Sequence, residues 1–313
     1  MAEISGVGEF ELITRISSAV ASPAPPEGPG DDAALVSAPG GRLVVTTDLL
    51  IEGTHFRRDW SAAYDIGRKA AAQNLADVAA MGANASVLLI GLGTPADFPL
   101  DDFDAIAEGV RDECALAGAQ LVGGDLVRAP QLVLSGTALG TLDGVEPVLR
   151  SGARAGHLVG IVGRLGWAAA GLRLLRSGHR DGPLVAAHRR PQPRYAAGPL
   201  LAAAGASAMC DVSDGLLGDA GHLAEASQVC LDLDMAALRR LGAPGVTDED
   251  LLGGGEDHAL LFTIPPRTTL PPEAVLIGRV LGCDGGEPVV LVDGKRSTVR
   301  AYQHFGSESA SGP

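Results

Sequence analysis

Three apolar, strand-like runs each stop at a small residue and then meet aspartate. They are Leu43-Val44-Val45-Thr46-Thr47-Asp48, Gln120-Leu121-Val122-Gly123-Gly124-Asp125 and Ala208-Met209-Cys210-Asp211-Val212-Ser213-Asp214-Gly215. A further acid, Asp77, lies in an Ala-rich stretch, and the pair Asp31-Asp32 follows Gly30. Carboxylates at strand ends beside glycine stabilise a fold poorly and ligate hard cations well. Mg²⁺ prefers carboxylate oxygen and water and is usually recruited together with substrate phosphates. The pattern predicts a metal-dependent enzyme acting on phosphates.

The elements that must position these acids follow from periodicity and punctuation. Residues Glu9 to Ala19 read as an amphipathic helix and Ala21 to Gly30, rich in Pro and Gly, as a loop. Strands are predicted over Ala33 to Val36 and Leu43 to Thr47, joined by a Pro39-Gly40-Gly41 turn as a hairpin. Tyr64 to Met81 reads as a helix closed by Gly82. It carries Lys69, Gln73 and Asp77 as a polar stripe at i, i+4 and i+8. Two readings of that stripe compete: a Lys69–Asp77 ion-pair network on a solvated face, and an Asp77 that looks into a metal site. Further strands are expected over Ala85 to Leu92, Leu121-Val122, Leu132 to Leu139, His157 to Val162 and Ala259 to Thr263. Helices are expected over Phe103 to Ala117, Trp167 to Ser177 and Leu216 to Ser227, with Pro183 to Pro199 as an irregular excursion. Alternating strands and helices with interspersed hairpins predict an α/β (mixed α+β) chain of two domains. Gly, Pro and Arg clustered between Asp143 and Gly156 suggest the linker, which gives domains over 1–147 and 148–306 and a Ser/Gly-rich tail over 307–313, expected to be disordered.

Other motifs are weighed on their chemistry. No G-x-x-x-x-G-K-[ST] loop occurs, so ATP would need another scaffold. Gly91-Leu92-Gly93-Thr94-Pro95-Ala96 matches a dinucleotide fingerprint, but Pro95 and Pro99 interrupt the helix that should follow, so an irregular loop is expected. Asp211, Ser213 and Asp214 crowd one helix start, where capping needs only one side chain. A helix N-terminus would also receive a phosphate. Three glycines in Gly253-Gly254-Gly255-Glu256-Asp257 let backbone approach a ligand, and two acids follow at once. His55, in the loop after Asp48, is suited to a substrate phosphate. No G-x-S-x-G elbow supports serine hydrolase chemistry.

Of the 313 residues 46% are hydrophobic and only 4% aromatic, so a sizeable core must be built from Ala, Val and Leu. The net charge of −14 argues against nucleic-acid binding, which needs Lys and Arg to neutralise phosphates. Cys114, Cys210, Cys230 and Cys283 form no C-x-x-C pair, so buried free thiols in a reducing, cytoplasmic compartment are expected, with no zinc site. The N-terminus shows no basic and apolar signal pattern, and no apolar run reaches the ~18 residues of a membrane span.

Taken in order, these motifs resemble those of the thiamine-monophosphate kinase family. The matching pieces are Gly8-Glu9-Phe10-Glu11-Leu12-Ile13, Gly30-Asp31-Asp32-Ala33-Ala34-Leu35, Thr46 to Phe56, Asn74 to Ala83, Gly123-Gly124-Asp125, Asp211 to Leu216, Gly253 to Asp257 and Tyr302-Gln303-His304-Phe305. The resemblance implies a fold like that of aminoimidazole ribonucleotide synthetase, with N-terminal domains pairing across a homodimer to complete a β-barrel. It implies ATP and thiamine phosphate as substrates and several Mg²⁺ ions. Carried over by position, Asp32, Thr46, Thr47, Asp48, Asp77, Asp125, Asp211 and Asp214 would be metal ligands, with Asp48, Asp77, Asp125 and Asp214 central to catalysis. Gly124, Asp125, Arg150 and Ser213 would contact ATP, and His55, Glu256 and Tyr302 the thiamine phosphate. His258-Ala259 and Leu126 depart from the pattern, where Tyr-Glu and Thr are frequent.

The implied acceptor is a phosphate monoester with a second pKa of about 6, already a nucleophile at neutral pH. No general base is then required, and the expected reaction is direct in-line transfer. Two other readings stand beside this one. One is a different ATP-dependent enzyme of the same superfamily. A selenophosphate synthetase is disfavoured because the first cysteine, Cys114, lies inside a helix. The other is a non-catalytic Mg-nucleotide-binding regulator.

Overall fold

The computed structural model describes residues 31–38, 41–283 and 285–302. The expected helix at Glu9 to Ala19, the loop before Gly30, Gln303-His304-Phe305 and the tail lie outside them. Strands β1 (Ala34–Ala38), β2 (Gly41–Ile51), β3 (Asn84–Thr94), β4 (Gln120–Arg128) and β5 (Val133–Thr141) form a five-stranded sheet in the order β1-β2-β5-β3-β4. All pairs are antiparallel except β3 with β4. One face is covered by α1 (Ala63–Ala80) and α2 (Leu100–Ala117). Their core includes Val44, Leu75, Val78, Leu88, Ile106 and Leu134, each almost wholly buried.

A seven-stranded sheet follows. It contains β6 (Leu158–Val162), β7 (Ala208–Val212), β8 (Cys230–Leu233), β9 (Ala259–Ile264), β10 (Val275–Leu281), β11 (Val290–Val292) and β12 (Lys295–Arg296), in the order β12-β11-β8-β10-β6-β9-β7. Only β8 and β11 run parallel, so the mixed α+β expectation is met in an antiparallel-rich form. Helices α3 (Trp167–Arg176), α4 (Pro183–Arg189), α5 (Ala197–Ala203), α6 (Leu216–Ser227), α7 (Met235–Arg239) and α8 (Asp248–Gly253) accompany it. Among the described residues neither sheet closes into a barrel.

Three sequence expectations are corrected. Gly91 to Thr94 is no loop. It is the end of β3, because Gly91 and Gly93 pair with Ser135 and Val133 on one side and with Asp125 and Val127 on the other. The Pro183 to Pro199 excursion holds α4 and the start of α5. Pro183 sits at the first helical position, where its missing N–H costs nothing. Cys230 and Cys283 are not free thiols. The antiparallel pairing of β8 with β10 sets Leu281 opposite Cys230, and Cys283 lies two residues on, with its Cα 5.4 Å from that of Cys230, joined in a disulfide. Cys114 and Cys210 are free and buried, as expected. The cysteines therefore no longer argue for a reducing compartment.

Helix α1 is the hub. Thirteen of its eighteen residues are buried, so it cannot be the half-solvated element that a surface ion-pair network would need. It packs on β2, β3 and β5 of one sheet and touches β7 beside α4 and α5 on the other side. Its Ala-rich sequence suits this position, since small side chains let neighbours approach from every direction and Ala is the best helix former.

Candidate functional site

Lys69 and Asp77 lie two turns apart on α1, about 12 Å along its axis, and they do not pair with each other. Each anchors its own cluster.

Around Asp77 the charges are predominantly negative. The Thr46 hydroxyl, on β2, donates to Asp77 Oδ2 at 2.8 Å. Burial first, and then the charges of Asp48, Asp211 and Asp32, hold the Asp77 carboxyl well above the usual range. Asp32 is ion-paired to the Arg150 guanidinium, while the Arg150 N–H donates to Asp31 Oδ1 at 2.6 Å. Burial still pushes Asp32 up to about 7 against that cation, with Asp211 adding to the rise, and Asp32 Oδ2 is buried without a hydrogen-bond partner. The structure therefore brings Asp32, Thr46, Asp48, Asp77, Arg150 and Asp211 together. Asp48 is held through its backbone, whose N–H donates to Asn74 Oδ1 at 3.1 Å. Asn74 reaches in because the residue opposite Asp48 is Gly136: a Cβ there would stand 2.1 Å from Asn74 Nδ2.

Asp211, next to last in β7, accepts from His258 Nδ1 at 2.8 Å, with both groups buried. Burial pulls the His258 pKa down, but the hydrogen bond and charge of Asp211 outweigh it and raise the pKa. His258, a departure from the family pattern, is thus the partner of a predicted metal ligand. The capping reading of Asp211, Ser213 and Asp214 does not hold, since α6 has no side-chain N-cap. Instead Asp219 Oδ2, in the first turn, accepts from the Asp214 and Gly215 N–H groups at 3.2 and 3.0 Å. Asp219 is raised by burial and by Asp211 and Asp214; the sequence signal for it was an acid one turn into a helix that opens on glycine.

Around Lys69 the charges balance. Its Nζ, 3% exposed, pairs with Glu256 Oε1 at 2.8 Å and donates to the His55 carbonyl at 3.0 Å. Buried His188, from α4, faces Glu256 Oε2 through Nδ1 at 3.4 Å. Burial alone would raise Glu256, but Lys69 and then His188 bring it down to about 2. His55 Nδ1 accepts from the Ile51 N–H at 3.0 Å, which leaves the proton of the neutral ring on Nε2. Glu256 occupies left-handed backbone (φ 65°), uncommon outside glycine. The Glu256 N–H donates to Ser213 O at 2.7 Å. The two Gly-rich segments meet backbone to backbone. A Cβ on Gly255 would lie 2.2 Å from Ser213 O, and one on Gly215 would lie 2.5 Å from Gly253 O. The Tyr302 N–H donates to Asp214 O at 3.0 Å, so Tyr302 is tied to the same loops.

Not every predicted residue joins these clusters. The Thr47 hydroxyl donates to Gly136 O at 2.6 Å and contacts Thr137, away from Asp77. Gly124 and Asp125 lie on β4, exposed along its length, at the mouth of a 470 Å³ cleft that α2 lines with Phe103, Ile106 and Val110. Among the described residues no three His, Cys, Asp or Glu side chains converge to hold an ion alone. The donor set still fits Mg²⁺. It consists of hard carboxylate and hydroxyl oxygens with unbalanced negative charge and a buried orphan oxygen, and Mg²⁺ is ordinarily held by one or two carboxylates with the remainder from water and phosphate.

Comparison with known proteins places the chain among enzymes. Residues 30–142 match the family model described as AIR synthase related protein, N-terminal domain. The chain is 48% identical over 320 residues to the thiamine-monophosphate kinase of Mycobacterium tuberculosis, covering 98% of this chain and 94% of that one. It is 39% identical over 277 residues to the thiamine-monophosphate kinase of Corynebacterium glutamicum, covering 83% and 82%. The structure of AaThiL complexed with AMPPCP and TMP superposes with a TM-score of 0.86 at 32% identity, covering 97% of this chain and 99% of that one.

Proposed function

The chain belongs to the thiamine-monophosphate kinase family, and from that premise we propose how its residues serve the reaction. The enzyme phosphorylates thiamine phosphate with ATP, giving thiamine diphosphate and ADP. An oxygen of the acceptor phosphate, ionised at neutral pH, attacks the γ-phosphorus in line. The new P–O bond forms as the bond to the β,γ-bridging oxygen breaks, and ADP leaves with that electron pair. No proton need be removed from the acceptor, so no side chain acts as general base.

The observation that carries this reading is the gathering of Asp32, Asp48, Asp77 and Asp211 at one end of α1, where burial and the neighbouring carboxylates raise the proton affinity of Asp32 and Asp77. Asp32, Asp48, Asp77, Asp211 and Asp214, with the Thr46 hydroxyl, would hold Mg²⁺, and Asp125 and Thr47 would join through the nucleotide side. Bound there, Mg²⁺ would neutralise the polyphosphate and screen the approach of two polyanions. Arg150, Ser213 and Gly124 serve ATP. His55, Glu256 and Tyr302 face the thiamine phosphate, with Lys69 supplying positive charge between them.

The two sheets belong to domains over 1–147 and 148–306. The working molecule is a cytoplasmic homodimer whose N-terminal sheets close into a barrel. Support for the dimer comes from β4, which among the described residues pairs only with β3 and leaves Val122, Leu126 and Val127 more than half exposed, the kind of edge that folds cover or close. Sedimentation at micromolar concentration should give twice the monomer mass, and a monomer would remove the barrel.

The reaction is tested by following ADP and thiamine diphosphate together from Mg-ATP and thiamine phosphate. Equal amounts are expected, with no phosphorylated enzyme. ADP without thiamine diphosphate would overturn the reading in favour of a sister activity.

A further inference from the structure

His188 has no role in the sequence pattern, yet the fold goes to some length to seat it. It is 3% exposed on α4, behind Glu256. Helix α4 lies against α3 closely enough that a Cβ on Gly171 would stand 2.1 Å from Leu184 O and 2.9 Å from His188 Cβ. Trp60, Leu175 and Val185 pack as an apolar cluster on these helices. Arg190, just past α4, pairs with Asp65 at the start of α1 at 3.2 Å, fixing α4 to the helix that carries Lys69. The result is a chain of polar groups: the His55 carbonyl to Lys69, Lys69 to Glu256 Oε1, and Glu256 Oε2 to His188 Nδ1. Nδ1 is buried with no hydrogen-bond partner at 3.4 Å from the carboxylate. That separation matches catalytic contacts that tighten when substrate binds.

We propose that His188 is a positioning residue that holds the second oxygen of Glu256, so that the carboxylate meets thiamine phosphate in a single orientation. The inference rests on the reading of Glu256 as a thiamine-phosphate contact. Burial and the Lys69 charge lower His188 to about 4, so the ring is neutral at working pH and can carry its proton on Nδ1, toward Glu256. Lys69 fixes one carboxylate oxygen and His188 the other. Without the second tether, a residue on left-handed backbone in a Gly-rich loop has one fixed oxygen and a rotor.

The experiment measures KM for thiamine phosphate and for ATP separately in the full-length enzyme, in His188→Leu, His188→Asn, His188→Gln and Glu256→Gln, with a melting curve for each. The asparagine amide reaches about the position of Nδ1 and the glutamine amide does not. His188→Leu should raise KM for thiamine phosphate about tenfold with KM for ATP within about twofold, and His188→Asn should recover most of it while His188→Gln does not. An unchanged KM for thiamine phosphate in His188→Leu, or equal defects in the Asn and Gln variants, overturns the inference. If His188→Leu does not fold, the Asn and Gln pair decides. Glu256→Gln separates the two claims. A raised KM there with a normal His188→Leu defeats the His188 role alone, whereas a normal KM in Glu256→Gln defeats the reading of Glu256 itself.

Discussion

The two ends of α1 handle charge in opposite ways. At the Asp77 end, Asp32, Asp48, Asp77 and Asp211 gather against a single arginine, and burial together with the neighbouring carboxylates raises the proton affinity of Asp32 and Asp77. At the Lys69 end, ammonium, carboxylate and imidazole are matched within the protein, and the carboxylate is held down to about 2. A cluster left unbalanced needs cations from outside. A balanced cluster is already organised before anything binds and serves orientation. One helix thus carries a region that depends on what it binds and a region that is complete without it.

The sharpest way to break this contrast is Asp77→Asn. Turnover should fall by more than about a hundredfold, the scale of losing one electrostatic contact to a transition state, while the metal-free protein melts at a higher temperature because a like charge is gone. Near-normal turnover would remove Asp77 from the ligand set, and a lower melting temperature would mean that the carboxylates do not repel.

Next in size is Lys69→Met. It should destabilise the fold by about 2 kcal/mol, less than a fully buried pair would lose because Glu256 is one-third exposed. Glu256→Gln in the same chain should recover part of that loss, since the stranded charge is gone. Denaturant melts of the two single variants and the double variant test this, and strict additivity would show that the pair is not coupled.

The third test is pH. Asp32 and Asp257 are raised to about 7, and Asp77 and Asp219 are raised as well, so the folded state takes up protons that the unfolded chain releases. The stabilising effect of Asp32 and Asp257 is complete below about pH 4 and is lost as pH rises through about 7, and Asp77 and Asp219 act in the same direction. His258, also raised, acts in the same sense. His188 at about 4 opposes it below its ordinary pKa of 6.5, and the stabilisation from Glu256 is constant above about pH 4.5 and is lost only as pH falls towards 2. Melting in chelator should therefore rise from pH 7.5 to 5, and Mg²⁺ should flatten the slope. A fall over that range would sink the picture of an over-charged cluster.

The smallest effect belongs to Gly136→Ala. The new Cβ meets Asn74, and overpacking costs about 1–3 kcal/mol. Because Asn74 holds the Asp48 backbone, KM for ATP should rise more than KM for thiamine phosphate. Steady-state kinetics with each substrate varied checks this.

Much of this was legible beforehand. Strand-end aspartates and glycine punctuation marked the acidic cluster, because hard-cation chemistry selects residue types that leave a local signature. The Lys69 end was not readable. Lys69 falls in a regular helical stripe, so its partner can be named only once α1 has met the 253–258 loop, and His188 sits in a segment whose prolines suggested irregularity. The disulfide likewise needed the β8–β10 register. Thr47, adjacent to Thr46 in sequence, bonds Gly136 O rather than Asp77 because successive side chains alternate along a strand, a separation that sequence adjacency does not show.

Helix α1 has a consequence for motion. It is buried against both sheets, so its amides cannot reach solvent unless both halves of the chain let go. Hydrogen exchange along residues 63–80 should then be the slowest in the molecule and should track global opening, with the two sheets melting as one cooperative unit in spite of their separate cores.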